Sequence, residues 1–251
     1  MPEKIIQLKN VTHSYADGNV GIKDINLSIF SGEFIVLAGK NGSGKTTLIR
    51  HLNGLISPSS GSVHVNELPV SKHLVQTRQS IGMVFQDADT QIVCDTVFDE
   101  VAFGLENLKS PRSQIDKKVP YVLKQLNLYH LKDRNPFTLS GGEKRKLAIA
   151  GVLVMDPAVI VFDEPFSNLD YPGSVLLLKT IVDLNQKGHT LIIATQDIET
   201  IICDSTRIIV LENGQVREDG PPEKIVSLLE SYGVKEPCSS KLGLGIVPCL
   251  N

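Results

Sequence analysis

Gly39-Lys-Asn-Gly-Ser-Gly-Lys-Thr-Thr47 decides the reading of this chain. Residues 39–46 match G-x-x-x-x-G-K-[ST], a loop whose backbone N–H groups cradle phosphates. The five apolar residues before it, Phe34-Ile-Val-Leu-Ala38, read as a buried parallel strand, and Thr46 to Leu52 reads as a helix. Strand, glycine-rich loop and helix together aim several amides and a helix N-terminus at an anion. Gly39, Lys40, Asn41, Gly42, Ser43 and Gly44 supply the loop, and Thr47 continues it into the helix. Lys45 adds a point charge for the terminal phosphates, and the Thr46 hydroxyl can ligate Mg²⁺. An ordinary glycine-rich turn needs no Lys-Thr pair at this offset.

Ala158-Val-Ile-Val-Phe162 is a second buried-strand run, and it ends in Asp163-Glu164. That ending puts two carboxylates at the carboxyl end of a strand, where ligands sit in open α/β sheets. Asp163 is placed to hold a hydrated Mg²⁺, and Glu164 to act as a base on water. Pro165 follows at once, which speaks against a merely solvated strand end.

Ser140-Gly-Gly-Glu143 is a third motif. Locally it is a capping box, Ser140 with Glu143 three residues on. Yet Gly141 and Gly142 are poor helix formers, each costing about 1 kcal/mol against alanine. They fit a helix start with bare amides that suits a phosphate. The chain's own phosphate loop already serves one nucleotide, so this second cradle is expected to serve another chain's.

Around these motifs the texture is α/β. Ile5–Val11 and Ile25–Ile29 alternate and form an antiparallel layer. Gly61–Asn66, Ile81–Phe85, Ala158–Phe162 and Leu191–Thr195 read as strands, and Ile208–Leu211 with Gly214–Val216 as a closing hairpin. From Thr96 to about Met155 the pattern is helical, with helices from Thr96, over Ile115–Leu126 and from Ser140. A further helix covers Val175–Leu184. A helical segment is thus inserted into an α/β core, and residues 231–251 form a weakly patterned tail.

The chain has 251 residues, enough for one large core, and a formal net charge of −3, which makes no case for nucleic acid. No apolar run reaches the length of about 20 residues that a spanning helix needs. Met1-Pro-Glu-Lys4 opens without an apolar signal segment or a lipidation signal. Cys94, Cys203, Cys238 and Cys249 lie far apart, as free thiols of a reducing compartment do. The six histidines are scattered, against a metal cluster.

Over about residues 5–230 the chain resembles the ATP-binding-cassette (ABC) ATPases. Gly39–Thr46 resembles their Walker A loop and Val159–Glu164 their Walker B strand. Leu139-Ser-Gly-Gly-Glu143 resembles the signature that is specific to the family among phosphate-loop proteins. Gln86 resembles the Q-loop glutamine that touches Mg²⁺ and senses a membrane partner. Ser167-Asn-Leu-Asp170 resembles the D-loop, and Tyr15 stands where an aromatic ring stacks on adenine. The resemblance implies an α/β phosphate-loop NTPase core of RecA-like type. It carries an antiparallel β subdomain and a helical subdomain of about residues 96–155. It also implies a head-to-tail dimer, with two ATP molecules each held between one subunit's Walker loops and the other's Ser140, Gly141 and Gly142. Val84–Val93, Asp99–Asn107 and Lys144–Gly151 resemble the energy-coupling-factor subgroup, the ATPases of cobalt, nickel and vitamin importers.

The implied function is an ATPase that powers such an importer from the cytoplasmic face of the membrane. Its implied partners are a transmembrane coupling subunit, a substrate-binding membrane subunit, and an identical or related ATPase. Residues 86–103 are the expected contact with the membrane subunit, weakened by charge reversal near Asp99-Glu100. In one respect the chain departs from the pattern. After Leu191–Thr195 the family places a histidine that contacts the γ-phosphate, and here Gln196 stands, so Gln196 and Glu164 are the catalytic candidates. Two other readings stay open: a soluble cassette of DNA repair or translation, and a regulatory ATP-binding subunit with little turnover. The first lacks the long coiled-coil or zinc insertions, or the paired cassettes, of those proteins; the second rests on Gln196.

Overall fold

The computed structural model describes residues 2–247; Cys249 lies outside them. Two sheets carry the molecule. The first is antiparallel, in the order β2-β1-β4-β5, from β1 (Lys4–Ser14), β2 (Val20–Phe30), β4 (Ser60–Val65) and β5 (Leu68–Pro69). The second has the order β10-β9-β3-β8-β7-β6, from β3 (Phe34–Ala38), β6 (Ile81–Val84), β7 (Val159–Asp163), β8 (Thr190–Thr195), β9 (Arg207–Glu212) and β10 (Gln215–Gly220). It is parallel apart from the edge hairpin β9–β10.

β3, β7 and β8 are buried at every residue, because both faces of the parallel sheet are covered. Alternate side chains of β3 therefore enter different cores. Ile35 and Leu37 pack with the antiparallel sheet, while Phe34, Val36 and Ala38 pack with the helical side. The hydrophobic pattern of the strands thus fixes a three-layer stack, with the phosphate loop at its middle strand.

Helix α1 (Lys45–Leu52) follows β3, and α2 (Leu74–Ser80) precedes β6. Between β6 and its parallel neighbour β7 lie α3 (Val97–Asn107), α4 (Arg112–Gln125) and α5 (Gly141–Leu153), which form the helical insertion. α6 (Tyr171–Gln186) joins β7 to β8, and the short α7 (Pro222–Ile225) and α8 (Cys238–Lys241) follow β10.

Several segments differ from the sequence expectation: β2 and α4 begin earlier than Ile25 and Ile115, and β5, α7 and α8 are additional, while α6 and α2 show the physical reasons. α6 starts four residues earlier than Val175, because the Asp170 carboxylate accepts the Gly173 N–H at 2.9 Å and caps it. α2 has no counterpart in the reading. Thr77 is its one buried residue, so it offers no apolar stripe to detect. No helix among the described residues is long and apolar enough to cross a membrane.

Candidate functional site

The phosphate loop leaves β3 and turns into α1 through Gly44, which holds φ 104° as the helix N-cap. A Cβ there would lie 2.6 Å from the Gly21 carbonyl oxygen, so a side chain is excluded by both strain and contact. No side chain caps α1, which leaves its leading amides for a ligand. Ser43 Oγ is buried and has no hydrogen-bond partner among the described residues.

Lys45 is buried, and its Nζ donates to the Gly39 carbonyl at 2.6 Å and to the Lys40 carbonyl at 3.4 Å. It lies 3.5 Å from Glu164 Oε1. Burial pulls the ammonium's pKa down, and the Glu164 carboxylate opposes that pull. The Thr46 hydroxyl donates to Asp163 Oδ1 at 3.2 Å. Burial pushes the Asp163 carboxyl above the ordinary range, with the Thr46 bond as the leading counterweight. A hydroxyl and a carboxylate oxygen side by side are hard oxygen ligands of the kind Mg²⁺ takes.

Glu164 takes a positive φ of 44° at the end of β7 and so parts from Asp163. Its Oε2 accepts from Thr195 Oγ1 at 3.0 Å, and its Oε1 from the Gln196 backbone N–H at 3.1 Å. The two strand ends β7 and β8 thus fix the carboxylate in place. A cavity of about 440 Å³ collects most of these groups; Asp163 and Thr195 do not line it and reach it through their bonds to Thr46 and Glu164. Tyr15, Lys45, Thr46, Gln86, Glu164 and Gln196 all line it, with residues 41–44 and Thr47. Gly39 and Lys40 contribute their carbonyls to Lys45 rather than a surface to the cavity. The Tyr15 hydroxyl bonds Thr47 Oγ1 at 2.7 Å, and the residue as a whole is 43 % exposed.

Ser140, Gly141 and Gly142 stand apart from that cavity, exposed at the start of α5. The capping box is complete. The Ser140 N–H donates to Glu143 Oε2 at 2.8 Å, and the Glu143 N–H donates to Ser140 Oγ at 3.4 Å. The Ser140 backbone bond leads in holding the Glu143 carboxyl below its ordinary range. A Cβ on Gly141 or Gly142 would meet no atom within 4 Å, so nothing in this chain requires glycine there.

Two residues that the sequence reading passed over bond groups that line the cavity, Thr195 to Glu164 and Arg145 to Gln86. Thr195 was visible only as the last residue of a strand, and its hydroxyl binds Glu164. Arg145 lies on the buried face of α5 with Ile149 and Val152, at i, i+4 and i+7. A charge on an apolar stripe was its only signal. Of the acidic pair in the expected contact segment, Asp99 is exposed and Glu100 is not. Glu100 is buried and accepts the Val93 and Cys94 N–H groups, both at 2.8 Å, so charge reversal at Glu100 would also remove the bonds that hold this loop. Asp99 is engaged with the helix-capping Thr96.

A family model described as "ABC transporter" matches residues 22–167. The chain is 38 % identical over 230 residues to the energy-coupling factor transporter ATP-binding protein EcfA of Methanocaldococcus jannaschii, covering 90 % of this chain and 82 % of that protein. It is 41 % identical over 248 residues to EcfA1 of Caldanaerobacter subterraneus subsp. tengcongensis, covering 95 % and 89 %. Among solved structures it superposes on CbiO1 of Clostridium perfringens, part of the ABC transporter complex cbiONQ. The TM-score is 0.82 at 35 % identity, with 96 % of this chain and 99 % of that one covered. A dimeric ATP-binding cassette in a post-hydrolysis state with ADP and Pi gives a TM-score of 0.77 at 29 % identity, covering 87 % and 99 %.

Proposed function

The chain belongs to the ABC transporter family as an ATP-binding cassette, and from that premise we propose that it is the ATP-hydrolysing subunit of an energy-coupling-factor-type membrane importer. The cargo class we assign is cobalt, nickel or a vitamin. The observation that carries the chemistry is the shared cavity of Lys45 and Glu164, 3.5 Å apart. It pairs a cation for the phosphates with a carboxylate for the attacking water.

In-line attack on the γ-phosphate needs positioning and charge neutralisation more than covalent chemistry. Lys45 and the loop amides hold the β- and γ-phosphates. Glu164 orients and polarises the water. Its bonds from Thr195 and the Gln196 amide keep it aimed. Gln196 offers a neutral amide donor toward the terminal phosphate. Tyr15 supplies a ring for adenine. Thr46, Asp163 and Gln86 would hold Mg²⁺, whose role is to neutralise phosphate charge.

Ser140, Gly141 and Gly142 complete the partner cassette's site in a head-to-tail dimer, the partner being an identical or a related ATPase. Residues 5–230 act as the cassette, with about 96–155 as its helical subdomain and 231–251 as an appendage. We place the protein at the cytoplasmic face of the membrane, where residues 86–103 meet a transmembrane coupling subunit that works with a substrate-binding membrane subunit. Val93 and Phe103 are exposed apolar side chains in that segment.

Glu164→Gln tests this reading. With ATP and Mg²⁺, and with the related ATPase where the dimer is mixed, the variant keeps nucleotide binding, loses turnover and elutes as a dimer in size-exclusion chromatography. A monomer at every protein and nucleotide concentration refutes the composite site.

A further inference from the structure

We propose that Arg145 is a positioning residue that locks the loop bearing Gln86 to the loop following Glu164, so that one guanidinium on α5 sets both sides of the phosphate cavity. The inference rests on the ATPase reading for its kinetic consequence and on geometry alone for the lock.

Arg145 Nη1 donates to the Phe85 carbonyl at 3.0 Å and to the Gln86 carbonyl at 2.6 Å. Its Nη2 donates to the Ser167 carbonyl at 3.3 Å. Ser167 is in turn tied to Glu164: its hydroxyl donates to the Glu164 carbonyl at 2.8 Å and its N–H to the same oxygen at 3.2 Å. A continuous path of bonds therefore runs from Gln86 through Arg145 and Ser167 to Glu164. Both ends line the cavity. The loops leave neighbouring parallel strands, β6 and β7, and no backbone pairing joins them beyond Val84–Phe162.

Arg145 is only 6 % exposed. A buried guanidinium is expensive to desolvate, and three carbonyl oxygens, not a carboxylate, receive this one. An apolar side chain would fill the same place on α5 at lower cost, so packing alone does not account for it. The planar fork of N–H donors is what spans two loops, whereas an ammonium on one stem reaches one of them. Lys144 makes a separable contact, an ion pair at 2.6 Å with Asp89 farther along the Gln86 loop. It does not reach the Ser167 loop in any bond of the structure, which makes it a built-in control.

The test uses the full chain, with its membrane partner for turnover, in the variants Arg145→Lys, Arg145→Met and Lys144→Met. Hydrogen exchange is read over residues 85–91 and 165–169, alongside kcat, KM and the affinity for a fluorescent ATP analogue. Arg145→Lys keeps the buried charge and guards against a variant that merely fails to fold.

Both Arg145 variants are expected to raise exchange in the two segments together. They should lower kcat by about ten- to a hundredfold, the scale on which a misplacement of about 1 Å acts. KM and nucleotide affinity should stay within about twofold. Lys144→Met is expected to loosen the 85–91 segment alone. Wild-type protection in both segments of Arg145→Lys, a response in one segment only, or a KM rise with unchanged kcat overturns the proposal. If the wild type itself turns over no ATP, the functional reading fails, and the exchange data still decide the lock.

Discussion

Gln196→His is the most direct probe of the catalytic end of the cavity. Glu164 is held by the backbone N–H of Gln196 at 3.1 Å and by the Thr195 hydroxyl at 3.0 Å, not by the residue-196 side chain. The substitution therefore leaves the carboxylate in place and isolates the side chain's own contact with the terminal phosphate. Losing one donor to a developing anion costs about 10²–10³-fold in turnover. Gln196 keeps a neutral donor, and a charge-assisted bond is about twice as strong as a neutral one. Half of the free energy behind that factor corresponds to about ten- to thirtyfold.

A gain in kcat of about tenfold is expected in steady-state ATPase assays of the assembled complex, with KM within about twofold and Glu164 still required. The ratio of variant to wild type should widen as pH falls from about 8 to about 6, because imidazole ordinarily gains its proton near pH 6.5. No hydrolysis before or after the change would refute the reasoning and mark a regulatory site. A gain indifferent to pH would refute the charge-assisted account.

Three further outcomes follow from the same geometry. Tyr15→Ala should weaken a fluorescent ATP analogue by about 5- to 150-fold, since stacking on an aromatic ring is worth about 1–3 kcal/mol in single-strand binders; unchanged affinity in titration would show that another group holds adenine. Asp163→Asn should abolish Mg²⁺-dependent turnover yet raise the Tm of the nucleotide-free chain at pH 7. Burial holds the folded carboxyl above its ordinary value of 3.8, so the native state binds more protons than the unfolded chain between the two values, and stability falls as pH rises through that window. The variant's advantage should vanish below 3.8, and a lower Tm at pH 7 would contradict this. Arg207→Met should lose on the order of 3 kcal/mol in urea unfolding, because it leaves Asp219 and Glu33 without the guanidinium that bonds them at 2.6 Å and 3.0 Å; a loss under about 1 kcal/mol would make the network incidental.

The sequence by itself determined the pieces whose chemistry is local. A phosphate loop must follow a buried strand and open a helix, so Gly39–Thr47 announced β3 and α1. Two carboxylates after Val159–Phe162 could only sit at a strand's end. Ser140 and Glu143 cap their own helix within four residues. Strands buried on both faces and helices with an apolar stripe were legible for the same reason: their burial repeats with their own period. α2 was not legible, since Thr77 is all it buries.

Tertiary structure alone decided what depends on elements distant in the chain. The strand order β10-β9-β3-β8-β7-β6 brings Lys45 to Glu164 across 119 residues, and β8 delivers Thr195 to the same carboxylate. Glu100 looked like an exposed acid beside Asp99, and only the return of residues 93 and 94 onto α3 turned it inward. In the sequence Arg145 figured only within Lys144–Gly151, the segment that resembles the energy-coupling-factor subgroup. Its place under two loops follows from how α5 packs against β6. A hydrogen-bond partner 22 or 60 residues away leaves no period in the sequence, because the contact is made by the fold and not by the chain's local geometry.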